Sequence, residues 1–334
     1  IITDPSYAGQ FITFTMPEIG IVGTNANDME SKAAFCKGAI VRRYNDLHSN
    51  YRSEGSLSDF LKKQNIMGIC DVNTREITKV LREEGAMMMI ASSEISDKEE
   101  LKKILSSSKR IEEINYIEEV STKESYIHNK GVWDQSKNGF DTPSTAKKVI
   151  AYDFGVKNNI LNELVSAGFE VELVPSSYKD DAVIERYKNG EISGVFLSNG
   201  PGDPMVLKSE QSEIKRIVDA DIPIFAICLG HQLLSIANGY PTHKLKFGHH
   251  GGNHPVKDLR SKKVMITSQN HNYSVPDNIV EIAEPTHKNL FDGTIEGLRY
   301  KHKPILSIQH HPEASPGPRE SETLFREFFQ DIAK

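Results

Sequence analysis

The stretch Ile222-Pro223-Ile224-Phe225-Ala226-Ile227-Cys228-Leu229-Gly230-His231-Gln232-Leu233-Leu234 runs an apolar strand straight into an apolar helix, with one cysteine at the junction. Outward from it the same alternation repeats. Strands are predicted at 149–152, 170–174, 194–197 and 222–227, and helices at 159–167, around 182–187, 209–218 and 229–237. A further strand is expected at 304–308. Short apolar strands separated by amphipathic helices predict an α/β domain whose mostly parallel sheet is covered on both faces and wound with right-handed crossovers. Ligands in such sheets sit beyond the carboxyl ends of the strands. The residues just after Leu197, Ile227 and Ile308 are therefore where chemistry is expected.

Upstream the pattern is mixed. Residues 10–15 have strand character, and Leu57, Phe60 and Leu61 recur at helical spacing behind a Ser56 cap. Ile77, Val80 and Leu81 form a stripe that stops at Gly85, and Ser96-Asp97-Lys98-Glu99 reads as a capping box ahead of Leu101, Ile104 and Leu105. The polar stretch around Gly139 and Pro143 reads as a linker. The expected division is a smaller mixed α/β domain at 1–135, a linker at 136–147 and the α/β domain at 148–334. At about 100–200 residues per domain, 334 residues accommodate two.

Composition removes several classes of function. The hydrophobic set is 38% and the charged set 26%, and no apolar run approaches the ~20 residues of a membrane helix. With 46 acidic against 40 basic residues the net charge is −6, which supplies no field for gathering nucleic-acid phosphates. Cys36, Cys70 and Cys228 are too few and too scattered for a disulfide framework or a paired-cysteine zinc site, and they fit a reducing cytoplasmic compartment. No solenoid-range repeat is present. Ile1-Ile2-Thr3-Asp4-Pro5 has neither an initiator methionine nor a targeting pattern, which predicts further residues upstream.

Cys228 occupies a nucleophile elbow. A sharp strand-to-helix turn lifts the side chain off the sheet, and the helix start favours thiolate over thiol. A buried cysteine acting as a small hydrophobe is the alternative. The candidate base is His311, in Gln309-His310-His311-Pro312-Glu313, with Glu313 two residues on along an extended segment and able to orient the imidazole. His310 competes, because adjacent residues on such a segment face opposite sides and only one can reach the thiol. Ser198-Asn199-Gly200-Pro201-Gly202-Asp203-Pro204 follows a strand and offers free amides for an oxyanion hole together with Leu229. As a phosphate cradle it lacks the Gly-Lys-Ser/Thr ending, and its prolines remove donors. His249-His250-Gly251-Gly252-Asn253-His254 crowds three imidazoles together without a neighbouring cysteine or carboxylate to complete a shell, so no metal is assigned.

Ser198–Pro204, Ile227–Gln232 and His311-Pro312-Glu313 together resemble the triad-type class I glutamine amidotransferases. Thr3-Asp4-Pro5-Ser6-Tyr7, Asp71-Val72-Asn73-Thr74-Arg75, the string from Phe247 to Val256 and that from Pro312 to Pro318 narrow this to the glutaminase-subunit family of carbamoyl phosphate synthetases, nearly end to end. The resemblance implies a flavodoxin-like amidotransferase domain behind a family-specific N-terminal domain. It implies Cys228 as nucleophile, His311 as base and Glu313 as its partner. Glutamine contacts carried over in the same way are Ser6, Gly200, Gly202, Leu229, Gln232, Asn270, Asn272 and Tyr273. The implied activity is hydrolysis of glutamine to glutamate, with ammonia passed internally to a large synthetase subunit for arginine and pyrimidine synthesis. No cofactor is expected in this chain; ATP with Mg2+ is expected on that partner, in keeping with the absence of a Walker motif here. Three departures stand out. Family members usually carry glycine at the position of His310, commonly glycine-phenylalanine at Asn272-Tyr273, and ~40 residues ahead of Ile1. The first two bear on pocket shape and spare the triad. Rival readings are a catalytically silent chain, a free-standing cysteine hydrolase and the amidotransferase of another pathway, against which the long N-terminal segment speaks.

Overall fold

The computed structural model describes residues 1–332. The N-terminal part is built on a three-stranded parallel sheet of β1 (Phe11–Thr13), β2 (Gly38–Ile40) and β3 (Met67–Ile69), in that order. Helix α1 (Leu57–Lys63) precedes β3, and α2 (Thr74–Glu84), α3 (Lys98–Ser107) and the single turn α4 (Ile117–Val120) follow. Ser56 caps α1 as expected, its side chain accepting from the Asp59 amide at 3.0 Å. At α3 the expectation is corrected by one residue. Asp97, not Ser96, is the cap, because its carboxylate reaches the Glu99 amide at 2.8 Å.

β4 (Tyr126–His128) joins the edge of a second, larger sheet, and the hairpin β5 (Trp133–Asp134) and β6 (Gly139–Phe140) precedes its first long strand. Then the regular alternation begins: β7 (Lys147–Asp153), α5 (Asn158–Ser166), β8 (Phe169–Pro175), α6 (Asp180–Lys188), β9 (Gly194–Leu197), α7 (Lys208–Asp219), β10 (Ile224–Ile227) and α8 (Leu229–Ala237). Four antiparallel-paired strands follow, β11 (His243–Asp258), β12 (Val264–Ser274), β13 (Ala283–Asn289) and β14 (Ile295–Tyr300), before β15 (Ile305–Ile308) returns to the centre and α9 (Thr323–Ile332) covers it. The order across the sheet is β12-β11-β13-β14-β15-β10-β9-β7-β8-β4.

The expected parallel block is present as the five central strands from β15 to β8. Their near-continuous apolar runs, such as Val149, Ile150 and Ala151, are buried on both faces by the helices. One core layer includes Leu197, Leu229, Leu233 and Ile305; the opposite layer includes Phe196, Phe225, Cys228 and Phe325. The sheet as a whole is mixed, because β11–β14 extend it with antiparallel partners. No helix among the described residues is long and apolar enough to cross a membrane.

Candidate active site

Three carboxyl ends converge. β9 ends at Leu197, β10 at Ile227 and β15 at Ile308, and they lie side by side in register. Cys228 follows β10 with φ 52° and ψ −104°, a left-handed conformation that a non-glycine residue holds only under constraint. That constraint is visible. The Cys228 amide donates to Ile308 O at 2.8 Å, and the Gly230 amide donates to Ser198 O at 3.0 Å, which pins the elbow to both neighbouring strand ends. A Cβ on Gly230 would lie 2.4 Å from Leu197 O, so only glycine allows helix α8 to start this close. The thiol is buried, and its Sγ stands 3.8 Å from Asn270 O.

Strand alternation sends the two histidines to different surroundings. His310 faces the interior, with Nε2 3.2 Å from Ser321 Oγ. His311 lies on the side of Cys228, close enough for that side chain to raise its affinity for a proton. Its Nδ1 lies 2.8 Å from Glu313 Oε1, and its Nε2 is buried with no aligned hydrogen bond. Burial pulls the imidazole's affinity for a proton down, but the Glu313 carboxylate and then the negative charge on the Cys228 sulfur outweigh it and raise the value to about 10. The protonated imidazole thus presents Nδ1–H to Glu313 and Nε2–H to the sulfur side.

Glu313 is itself held. Burial alone would raise it, yet Lys157 and then His311 bring it down to about 2. Lys157 Nζ donates to Glu313 Oε1 at 2.9 Å and also to Ala314 O, and both charged groups are almost wholly buried. Asn159 Nδ2 donates to Glu313 O at 2.7 Å. Glu30 approaches from the N-terminal part, accepting from the Asn159 amide at 3.0 Å and helping to keep Lys157 charged. The Glu313 carboxylate is therefore locked by residues following β7 and by the N-terminal part together. Sequence reasoning missed Lys157; the available signal was a lysine two residues past a buried parallel strand's Asp153-Phe154-Gly155 end.

Other expected residues surround this core. Gly200 packs so tightly that a Cβ would lie 2.1 Å from Phe154 O, and Gly202 has φ 89°. Ser6 Oγ accepts from Asn199 Nδ2 at 2.8 Å, joining the N-terminal part to the glycine loop. Leu229 is buried at the start of α8. Gln232 Nε2 donates to Tyr273 O at 2.9 Å and to Gln309 Oε1 at 3.1 Å. His250 sits between the two asparagines, with Nδ1 3.2 Å from Asn270 Oδ1 and Nε2 3.2 Å from Asn272 Oδ1. Asn270 Nδ2 and the Tyr273 hydroxyl are buried without a partner. A cavity of about 120 Å³ opens beside His311 and Asn270 toward Asp4, Tyr7 and Lys157; of the expected glutamine contacts only Asn270 lines it.

The three imidazoles of the histidine string do not converge. His249 turns to Asp292 at 2.8 Å and to Glu296, whereas His250 serves the asparagines. His249, His271 and Glu296 do place donor atoms within 4.8 Å of one another. Each of those atoms is occupied by protein: Glu296 by Gln269 and Asn289, His271 by Gln269 and Tyr273 O.

The model for class I glutamine amidotransferases matches residues 150–331, and that for the carbamoyl-phosphate synthase small chain, CPSase domain, matches residues 1–91. The carbamoyl phosphate synthase small chain of Helicobacter hepaticus is 61% identical, over 98% of this chain and 87% of its own length. The chain belongs to the carbamoyl phosphate synthase small-chain family. The Campylobacter jejuni small chain is 55% identical over 98% of this chain and 88% of that one, and the Yersinia pseudotuberculosis small chain 44% over 99% and 85%. The fold is shared with a crystal structure from Thermoplasma acidophilum described as a GMP synthase protein, at 20% identity, covering 57% of this chain and 96% of that one with a TM-score of 0.50.

Proposed function

We propose that this chain is the glutaminase subunit of carbamoyl phosphate synthase and that Cys228, His311 and Glu313 perform the hydrolysis. The observation that carries the reading is the strained Cys228 facing an imidazole whose far side is fixed by a buried, ionised carboxylate. With the proton already resting on the His311 imidazole, the Cys228 thiolate attacks the side-chain amide carbon of glutamine. The carbonyl electrons move to oxygen, and backbone amides near Gly200 and Leu229 stabilise that oxyanion. His311 returns the proton to the departing nitrogen, ammonia leaves and a γ-glutamyl thioester remains. Water, deprotonated by the same imidazole, then releases glutamate, and the sulfur leaves as the thiolate beside the reprotonated imidazole.

Asn270, whose backbone oxygen stands 3.8 Å from the sulfur, which lines the cavity beside His311 and whose side-chain amide donor is buried without a partner, is the clearest substrate ligand among the expected contacts. Ser6, Gln232, Asn272 and Tyr273 stand outside the cavity lining and act on the substrate through the residues they hold, Ser6 through Asn199 and Asn272 through His250. Ammonia passes to a large synthetase subunit, where ATP with Mg2+ supplies the activation that this chain does not carry out. Replacing Cys228 by Ser in the complex should abolish glutamine-dependent carbamoyl phosphate formation while free ammonia still supports it. Glutamine hydrolysis surviving that substitution would overturn the assignment.

A further inference from the structure

Behind the proposed glutamine pocket lies a polar core centred on one carboxylate. Glu296, on β14, is fully buried. Its Oε1 accepts from Asn289 Nδ2 at 3.0 Å and its Oε2 from Gln269 Nε2 at 2.9 Å. His249 Nδ1 stands 3.4 Å from Oε1, and His310 Nδ1 lies 3.8 Å from Oε2. The anion thus faces β11, β12, β13 and the segment after β15 at once.

The side chains it holds are the inward neighbours of the site. Along β12, Thr267, Gln269, His271 and Tyr273 are buried, while Ser268, Asn270 and Asn272 point to the other face. This part of β12 is poorly fixed by its own ladder. Only His249↔His271, His250↔Asn270 and Gly251↔Gln269 pair between two irregularities of β11. A slip of one residue would turn Asn270 into the core, put Gln269 on the face Asn270 now holds and displace the Asn270 carbonyl from beside the sulfur. A carboxylate is the side chain suited to prevent it, because its two oxygens accept from two amide donors simultaneously, whereas an amide in its place would set a donor against one of them. Burying that charge costs stability that a well-packed apolar residue would not.

We propose that Glu296 is a positioning residue of the glutaminase, holding through Gln269 the strand register that presents Asn270 beside Cys228. The proposal rests on the pocket described above. Its test is the KM and kcat for glutamine of the complex with the large subunit, for Glu296→Met, Gln269→Leu and the two combined. Each single substitution should raise KM about tenfold, the scale of one mispositioned substrate hydrogen bond, with kcat at saturating glutamine changed less than threefold. The double variant should be no worse than the worse single, since both cut the same link. If Glu296→Met does not fold, Gln269→Leu decides alone. KM within twofold of the parent in the folded single variants, or effects that multiply in the double, would overturn the proposal. Hydrolysis persisting in Cys228→Ser would overturn the functional reading and the proposal with it, whatever KM does.

Discussion

Gly230→Ala tests the elbow through its tightest contact. The added Cβ would lie 2.4 Å from Leu197 O and 2.8 Å from two other Leu197 atoms, none of them the end of a flexible side chain. To reach even 3.0 Å from that oxygen, the start of α8 and the end of β9 must separate by at least 0.6 Å, the difference of the two distances. Cys228 begins α8, whereas His311 hangs from β15, so the separation changes the distance between sulfur and imidazole. Overpacking of this kind costs about 1–3 kcal/mol of stability, and a displacement approaching 1 Å at a reacting atom costs about a hundredfold in rate. A fall in kcat of about ten- to a hundredfold is expected, with a modest drop in Tm. Steady-state glutamine hydrolysis and thermal unfolding on one preparation measure both. Activity within twofold of the parent in a folded variant would refute the claim that this contact sets the geometry of the nucleophile.

Lys157→Met should lower Tm by the equivalent of about 3–5 kcal/mol, because it leaves the buried Glu313 carboxylate without its principal counter-charge; an unchanged Tm would count against that pairing. The pH dependence follows from His311. Its folded value, raised to about 10, means that its contribution to stability is complete below the ordinary 6.5 and is lost as pH climbs through about 10. Glu313→Gln removes the largest cause of that rise, so Tm against pH over this interval should flatten relative to the parent. An equally steep decline in the variant would show that the carboxylate is not what holds the proton.

The parallel centre of the fold was legible because strands such as Val149–Ala151 and Ile224–Ile227 are buried on both faces and read as unbroken apolar runs. Cys228 was legible for the same reason, since it stands where such a run meets a helix. The antiparallel extension was not. β11 and β12 bury His249, Gln269 and His271 against Glu296 of β14 where an apolar layer would give period-two alternation, so the strand signal is lost in side chains that also suit loops and metal sites. The choice of His311 over His310 needed the sheet, because both follow the same strand and both are buried. Lys157 escaped notice because its partners are 156 residues away at Glu313 and across the N-terminal part at Glu30.

The most direct measurement is peptide mapping by mass spectrometry after treating the protein with a glutamine analogue carrying an electrophile at the γ-position, with and without excess glutamine. Cys70 is exposed, while Cys36 and Cys228 are both buried, so simple accessibility and catalytic activation make opposite forecasts. Modification of Cys228 alone, suppressed by glutamine, is the predicted result. Labelling of Cys70 in its place, indifferent to glutamine, would contradict the assignment of Cys228 as the nucleophile.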